Sequence, residues 1–200
     1  MTALLEIVRA WDSAASSFGE SVRWQPLTFV LLLASAWWVK WPLIAMLGAA
    51  GDCRRRCLPR ATVAAFGAVA AAAAAVTVLK ELFDRARPPV SGVDAVGVIP
   101  ASASFPSGHA ATAFAAAVAV GMFYPRLRRP LLALAAVVAL SRVYLGVHYA
   151  SDVLAGSALG VLLGLVAGWT VQAVAPGPTA LEPSRAPAGT SFAPLRRSPG

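Results

Sequence analysis

The chain has 200 residues, of which 58% are hydrophobic and only 13% charged, and its mean hydropathy is +0.68. A soluble domain of this length needs more polar surface, so the composition points to an integral membrane protein. The net charge of +8 does not indicate nucleic-acid binding: the arginines sit in short gaps between apolar runs, at Arg54 to Arg56 and at Arg126, Arg128 and Arg129, as a positive-inside bias places them.

Residues 1–25 form the first element. Leu4, Ile7, Val8 and Trp11 recur at helical spacing, with Phe18 and Val22 further along, while Glu6, Arg9 and Asp12 interrupt any secretory-signal core. The pattern predicts an amphipathic helix, either lying in the membrane interface or packed on the protein. Five long apolar stretches follow, over residues 27–50, 61–83, 108–124, 130–147 and 153–174. Most approach the ~20 residues that cross a hydrocarbon core as a helix. Lys40 and Pro42 interrupt the first, which reads as one kinked span or as two elements. The alanine run 70–75 allows close helix approach. Cys53 and Cys57, in CRRRC, form neither a disulfide framework nor a zinc site, and they read as incidental thiols or acylation targets. From residue 176 the chain turns to Pro, Ala, Ser and Gly without an apolar face, which predicts a disordered tail over 176–200.

The predicted fold class is therefore all-α: a polytopic membrane bundle of about five transmembrane helices over residues 26–175, preceded by an interfacial helix. The gaps 51–60 and 124–129 carry four and three arginines, so their face should be cytoplasmic. The loop 84–107 and the turn near His148 then lie on the extracytoplasmic face. In that loop Arg85 and Arg87 are offset by Asp84 and Asp94.

Three polar clusters fall on this outer face. In KELFDRARP, Lys80 and Arg87 are seven residues apart, and Pro88 predicts that the helix ends before Arg87. Taken alone, Lys80 equally well snorkels and pairs with Asp84. In PSGH, Ser107 is a candidate N-cap, and the amides of Gly108 and His109 lack intrahelical acceptors, as an oxyanion site requires. The same four residues also read as a capped helix with a surface histidine. In SRVYLGVHYASD, Arg142, His148 and Asp152 bracket the end of one span and the start of the next. Asp152 either fixes the tautomer of His148 or caps the last helix. His109 and His148 are the only histidines in the chain, and both fall on this face with three cations and an aspartate.

Taken together, K-x6-RP at 80–88, PSGH at 106–109 and SR-x5-H-x3-D at 141–152 resemble the three-part signature of the type 2 phosphatidic acid phosphatase family, with no departure in spacing. The resemblance extends to about residue 174 and leaves out the tail and the first 25 residues. It implies a metal-independent phosphatase without cofactor, acting on a lipid phosphate in the bilayer. By similarity, His148 is the nucleophile that forms a phosphohistidine, Asp152 orients it, and His109 is the general acid. Lys80, Arg87 and Arg142 then hold the phosphoryl oxygens, with Ser107 and the Gly108 amide. The implied substrates are a polyprenyl diphosphate first, then phosphatidic acid or phosphatidylglycerophosphate, in a bacterial plasma membrane. Competing readings are a lipid phosphotransferase on the same scaffold, a vanadium-dependent haloperoxidase-like enzyme and a non-catalytic membrane scaffold.

Overall fold

The computed structural model describes residues 2–35, 59–89 and 102–175, and every regular element among them is an α-helix. They are α1 (Thr2–Ser21), α2 (Gln25–Ser35), α3 (Arg60–Phe83), α4 (Gly108–Phe123), α5 (Pro125–Tyr144) and α6 (Ala150–Val174). Of these, α3 and α6 are long and apolar enough to cross a membrane, and α4 is apolar but shorter. The expectations for residues 36–50, for Cys53 and Cys57, and for the tail 176–200 lie outside the described residues.

α4 is the central helix. It packs against α3, α5 and α6, which explains why it is apolar on every side rather than along one stripe. The core is built from small side chains: Ala64, Ala68, Ala72 and Val76 of α3 meet Ala111, Ala115 and Ala119 of α4. A second seam joins Ala113 and Ala117 to Ala135 and Val138 of α5. Large apolar residues point outward instead, among them Phe66, Leu82, Leu140, Leu162 and Trp169. An apolar exterior around a core of alanines is the inverse of a soluble bundle and matches a lipid environment.

The contact between α4 and α6 is made by glycine. Gly156, Gly160, Gly164 and Gly168 are all buried on α6, one turn apart. A Cβ at Gly160 would overlap the Ala111 carbonyl of α4, one at Gly156 would overlap the Ser107 carbonyl, and one at Gly164 would lie 2.7 Å from the Ala115 carbonyl. The colliding atoms are backbone, so a substitution cannot be absorbed by a rotamer change. Gly160→Val is therefore expected to destabilise the protein by about 1–3 kcal/mol, the usual cost of overpacking. Thermal unfolding in detergent reads this out, with Gly67→Ala as the control, because a Cβ at Gly67 meets nothing within 4 Å.

The same contacts set the topology. The starts of α4 and α6 lie together and the helices run parallel, as Gly156 faces Ser107 and Gly168 faces Met122. The end of α3 reaches this place too, where Val76 approaches Gly108. α5 returns from the far end and finishes here. Two helix N-termini and two C-termini thus converge at one end of the bundle. Arg60, Arg126, Arg128 and Arg129 stand at the first turns of α3 and α5, at the other end.

The N-terminal helix differs from a packed amphipathic helix. Leu4, Ile7, Trp11 and Phe18 face outward, whereas Asp12 is buried against the bundle. α1 therefore turns its apolar stripe outward and its Asp12 flank to the protein. Just before α2, Trp24 N–H donates to the Tyr144 hydroxyl at the end of α5 (2.7 Å).

Candidate active site

The end of α5 shows how the local sequence delivers a histidine. Gly146 adopts φ 70°, a left-handed conformation that glycine takes without steric cost. Its N–H donates to Val143 O (2.9 Å) and the Val147 N–H to Arg142 O (3.2 Å). This pair of bonds is a Schellman cap, which satisfies the last carbonyls and turns the chain sharply. His148 then follows directly, buried, two residues before α6 begins.

Asp152, in the first turn of α6, is fully buried and lies beneath it. Its Oδ2 accepts the Tyr149 N–H (2.9 Å) and the Ser104 hydroxyl, and it stands 3.6 Å from His148 Nδ1. Its Oδ1 accepts Arg85 Nη1 (2.6 Å). The carboxylate thus caps α6 and also faces the imidazole. On the far side of the ring, His148 Nε2 lies 3.3 Å from Arg87 Nη1. With Nδ1 toward the carboxylate, the Nε2 lone pair points to the cations, a tautomer assigned from this network. Burial is the largest influence on His148 and holds its pKa below the ordinary histidine value. Contact with Asp152 opposes this, and the charges of Arg87 and Lys80 reinforce it. The neutral form of the imidazole is therefore favoured, the form a nucleophile or acceptor needs.

The cations gather from three elements. α3 stops at Phe83 because Asp84 takes a left-handed conformation (φ 37°) and its N–H closes on Lys80 O (3.0 Å). Lys80 Nζ does not turn to Asp84; it donates to Ser102 Oγ (3.1 Å) and Ala103 O (2.5 Å). Beyond the helix, as Pro88 predicts, Arg87 turns back. It donates through Nε to Ser102 O (2.9 Å) and through Nη1 to Val147 O (2.6 Å). Burial lowers the Arg87 pKa, partly offset by Asp152. Arg142, in the last turn of α5, is buried near enough to Arg87 for their charges to repel. Its Nε reaches Ser141 Oγ (3.2 Å), and among the described residues its buried Nη2 has no hydrogen-bond partner.

Ser107 occupies the N-cap position of α4, yet its side chain makes no cap hydrogen bond. The hydroxyl is instead buried without a partner among the described residues. An unpaired buried hydroxyl costs about 1–3 kcal/mol, as does each unpaired arginine N–H or more, unless a ligand satisfies it. His109 is partly buried in the first turn of α4, next to Gly108, whose missing side chain leaves room beside Val76. The N-terminal dipoles of α4 and α6 both point to this end and favour an anion.

Sequence reasoning missed three contributors. Ser104 bonds Asp152 and lies 3.5 Å from His148 Nδ1. Arg85 was legible only as a loop charge, yet it joins Asp152 to Asp12 (2.7 Å) and lies 4.1 Å over the Tyr149 ring. Asp12 comes from the segment set aside as peripheral. The only hint of it in the sequence is an acid on the flank of an otherwise apolar helix face.

Among the described residues, no three His, Cys, Asp or Glu side chains gather so as to hold a metal ion. The cations Lys80, Arg87 and Arg142 gather at this end of the bundle, a set that suits a phosphate. Apolar helices carrying such a cluster fit a membrane protein that handles phosphate esters.

Comparison with known proteins agrees. The sequence model of the PAP2 superfamily matches residues 61–175. A decaprenylphosphoryl-5-phosphoribose phosphatase from Mycobacterium tuberculosis is 41% identical over 128 residues, covering 64% of this chain and 70% of the relative. Phosphatidylglycerophosphatase B of Bacillus subtilis is 38% identical over 98 residues, covering 43% of this chain and 46% of the relative. The crystal structure of a transmembrane PAP2-type phosphatidylglycerolphosphate phosphatase from Bacillus subtilis superposes with a TM-score of 0.72 at 27% identity, over 84% of this chain and 88% of that one. The chain belongs to the PAP2 superfamily. It is a phosphatase, a hydrolase acting on phosphoric ester bonds.

Proposed function

We propose that the protein hydrolyses the terminal phosphate of a membrane lipid, a polyprenyl-linked phosphate or diphosphate first, through a phosphohistidine on His148. The observation that carries this reading is the pairing of a buried, neutral imidazole with unpaired phosphate-binding donors, Ser107 Oγ and Arg142 Nη2, at one end of the bundle. The Nε2 lone pair attacks phosphorus as the bond to the leaving oxygen breaks, and the electron pair goes to that oxygen. His109, as imidazolium, donates the proton the leaving group needs. Asp152 stabilises the charge that develops on the His148 ring. Water then attacks the phosphohistidine, His109 accepts its proton, and the N–P bond breaks to release inorganic phosphate. Lys80, Arg87, Arg142, Ser107 and the Gly108 amide neutralise the equatorial oxygens, the positioning role that a metal ion plays elsewhere.

The polyprenyl preference is supported by the Mycobacterium tuberculosis relative, whose name specifies a decaprenylphosphoryl substrate. The reading also includes five spans over residues 27–174, a membrane domain over 26–175 with a peripheral segment at 1–25 and a tail at 176–200, and a bacterial plasma membrane. Arginines at one end of α3 and α5, opposite the site, support an extracytoplasmic active face.

Phosphate release in detergent tests this reading, over a panel of prenyl diphosphate, prenylphosphoryl sugar phosphate, phosphatidic acid and phosphatidylglycerophosphate, with and without EDTA. The prenyl-linked substrates are expected to have the highest kcat/KM, and EDTA is expected to leave rates unchanged. Loss of activity in EDTA overturns the metal-free mechanism. Release only on addition of an acceptor alcohol makes the protein a phosphotransferase instead.

A further inference from the structure

Asp12 is 2% exposed, an unusual place for an acid on the first helix of an apolar protein. The partners of its carboxylate lie far away in sequence. Its Oδ1 accepts the Ser151 N–H (2.9 Å), and its Oδ2 accepts the Ser151 hydroxyl (2.6 Å) and Arg85 Nη2 (2.7 Å). The other end of the same guanidinium, Nη1, is spent on Asp152 Oδ1 (2.6 Å) and the Ser151 hydroxyl (2.7 Å). Asp152 in turn faces His148 through its second oxygen. A continuous line of charge therefore runs from α1 to the imidazole: acid, base, acid, ring. A planar fork is the one side chain that bridges two carboxylates with separate nitrogens. Burial opposes the charge on Arg85, but the two aspartates overcome it and raise its pKa.

We propose that Asp12 and Arg85 are positioning residues for the reaction, and that α1 is thereby part of the active site. Arg85 fixes the rotamer of Asp152 by holding Oδ1, which leaves Oδ2 aimed at His148. Left alone, that guanidinium would also neutralise Asp152 and weaken its hold on an imidazolium. Asp12 balances it, so that Asp152 keeps the negative charge that His148 needs. Asp12 also grips Ser151, the residue before Asp152, through both backbone and side chain, and so fixes the first turn of α6. The inference rests on His148 being the nucleophile, as proposed above.

Asp12→Asn and Arg85→Gln in the full-length protein test the relay through opposite signs. The groups facing His148 are Asp152 on α6, Arg87 beyond α3, Ser104 before α4 and, through its charge, Lys80 on α3. None of these changes in either variant. Asp12→Asn removes a negative charge, so the acidic limb of the kcat/KM profile should move to lower pH. Arg85→Gln removes a positive charge, so the limb should move to higher pH. In both, kcat should fall about tenfold or more while KM stays within about twofold, because the phosphate-binding donors are untouched. Arg85→Lys should restore the wild-type limb but only part of kcat, since an ammonium keeps the charge without the fork.

A folded Asp12→Asn with wild-type kcat and an unmoved limb overturns the proposal. So do limbs that shift in the same direction, or losses that track thermal stability alone. Should Asp12→Asn not purify as folded protein, the Arg85→Gln and Arg85→Lys pair decides. His148→Ala separates the two levels. If it turns over, the nucleophile reading falls whatever Asp12 does. If it is inert while Asp12→Asn runs at the wild-type rate, only the relay falls.

Discussion

His148→Ala is expected to abolish phosphate release, by on the order of 10⁴-fold or more, because the proposed reaction forms its covalent bond at this nitrogen while His109 serves as acid and base. The geometry makes the expectation specific. Nδ1 is committed to the side of Asp152 and Ser104, and Nε2 faces the guanidinium of Arg87, where a phosphoryl oxygen would be held. Burial favours the neutral ring, whose lone pair is available for attack. The protein should still fold, since truncating one buried ring leaves the Schellman cap and the glycine contacts in place. Comparing initial rates of purified variant and wild type, with unfolding midpoints alongside, checks this. With the proposed nucleophile and orienting acid acting as a unit, Asp152→Asn added to His148→Ala should cost almost nothing further. Turnover near the wild-type rate by folded His148→Ala would remove the covalent mechanism.

His109→Ala is expected to lower turnover of alkyl phosphates by about 10²- to 10⁴-fold, the range for a positioned general acid. The loss should shrink as the leaving group improves. An alkoxide departing from phosphatidic acid needs a proton, a phosphate departing from a diphosphate needs one far less, and a nitrophenolate hardly at all. His109 lies in the first turn of α4, one residue beyond Gly108, so it stands at the same helix start as Ser107 and the Gly108 amide. Rates of the variant and the wild type across aryl phosphates of graded leaving-group acidity give the test. A uniform loss, independent of leaving group, would make His109 a binding residue rather than an acid.

Much of this was legible in the sequence, for a physical reason. Spacing within a motif is local, and a helix converts local spacing into geometry. The stretches 61–83, 108–124 and 153–174 became Arg60–Phe83, Gly108–Phe123 and Ala150–Val174 almost residue for residue. The stretch 130–147 did not. Its helix begins earlier, at Pro125, because proline is favoured in the first turn and the arginines after it are good helix formers despite their polarity. It also ends earlier, at Tyr144, because Gly146 turns the chain. The parts of the site that escaped are long-range. Arg85 meets Asp12 across 73 positions and Asp152 across 67, and Ser104 meets Asp152 across 48. No periodicity encodes those encounters; tertiary packing creates them. The glycines of α6 recur at four-residue spacing, a pattern that does not say which helix they receive.

The glycine seam of α6 has a consequence for how steady the candidate site is. Where Gly156 lies against the Ser107 carbonyl, the depth of the α4 start is fixed by one main chain resting on another. Side chains exchange rotamers on fast timescales, and a contact built from them fluctuates with temperature and with the fluidity of the surrounding lipid. Two backbones in contact have no rotamers to exchange. The protein thus keeps its softest material, the large apolar side chains, on the outside against a liquid, and sets the reacting atoms with its stiffest.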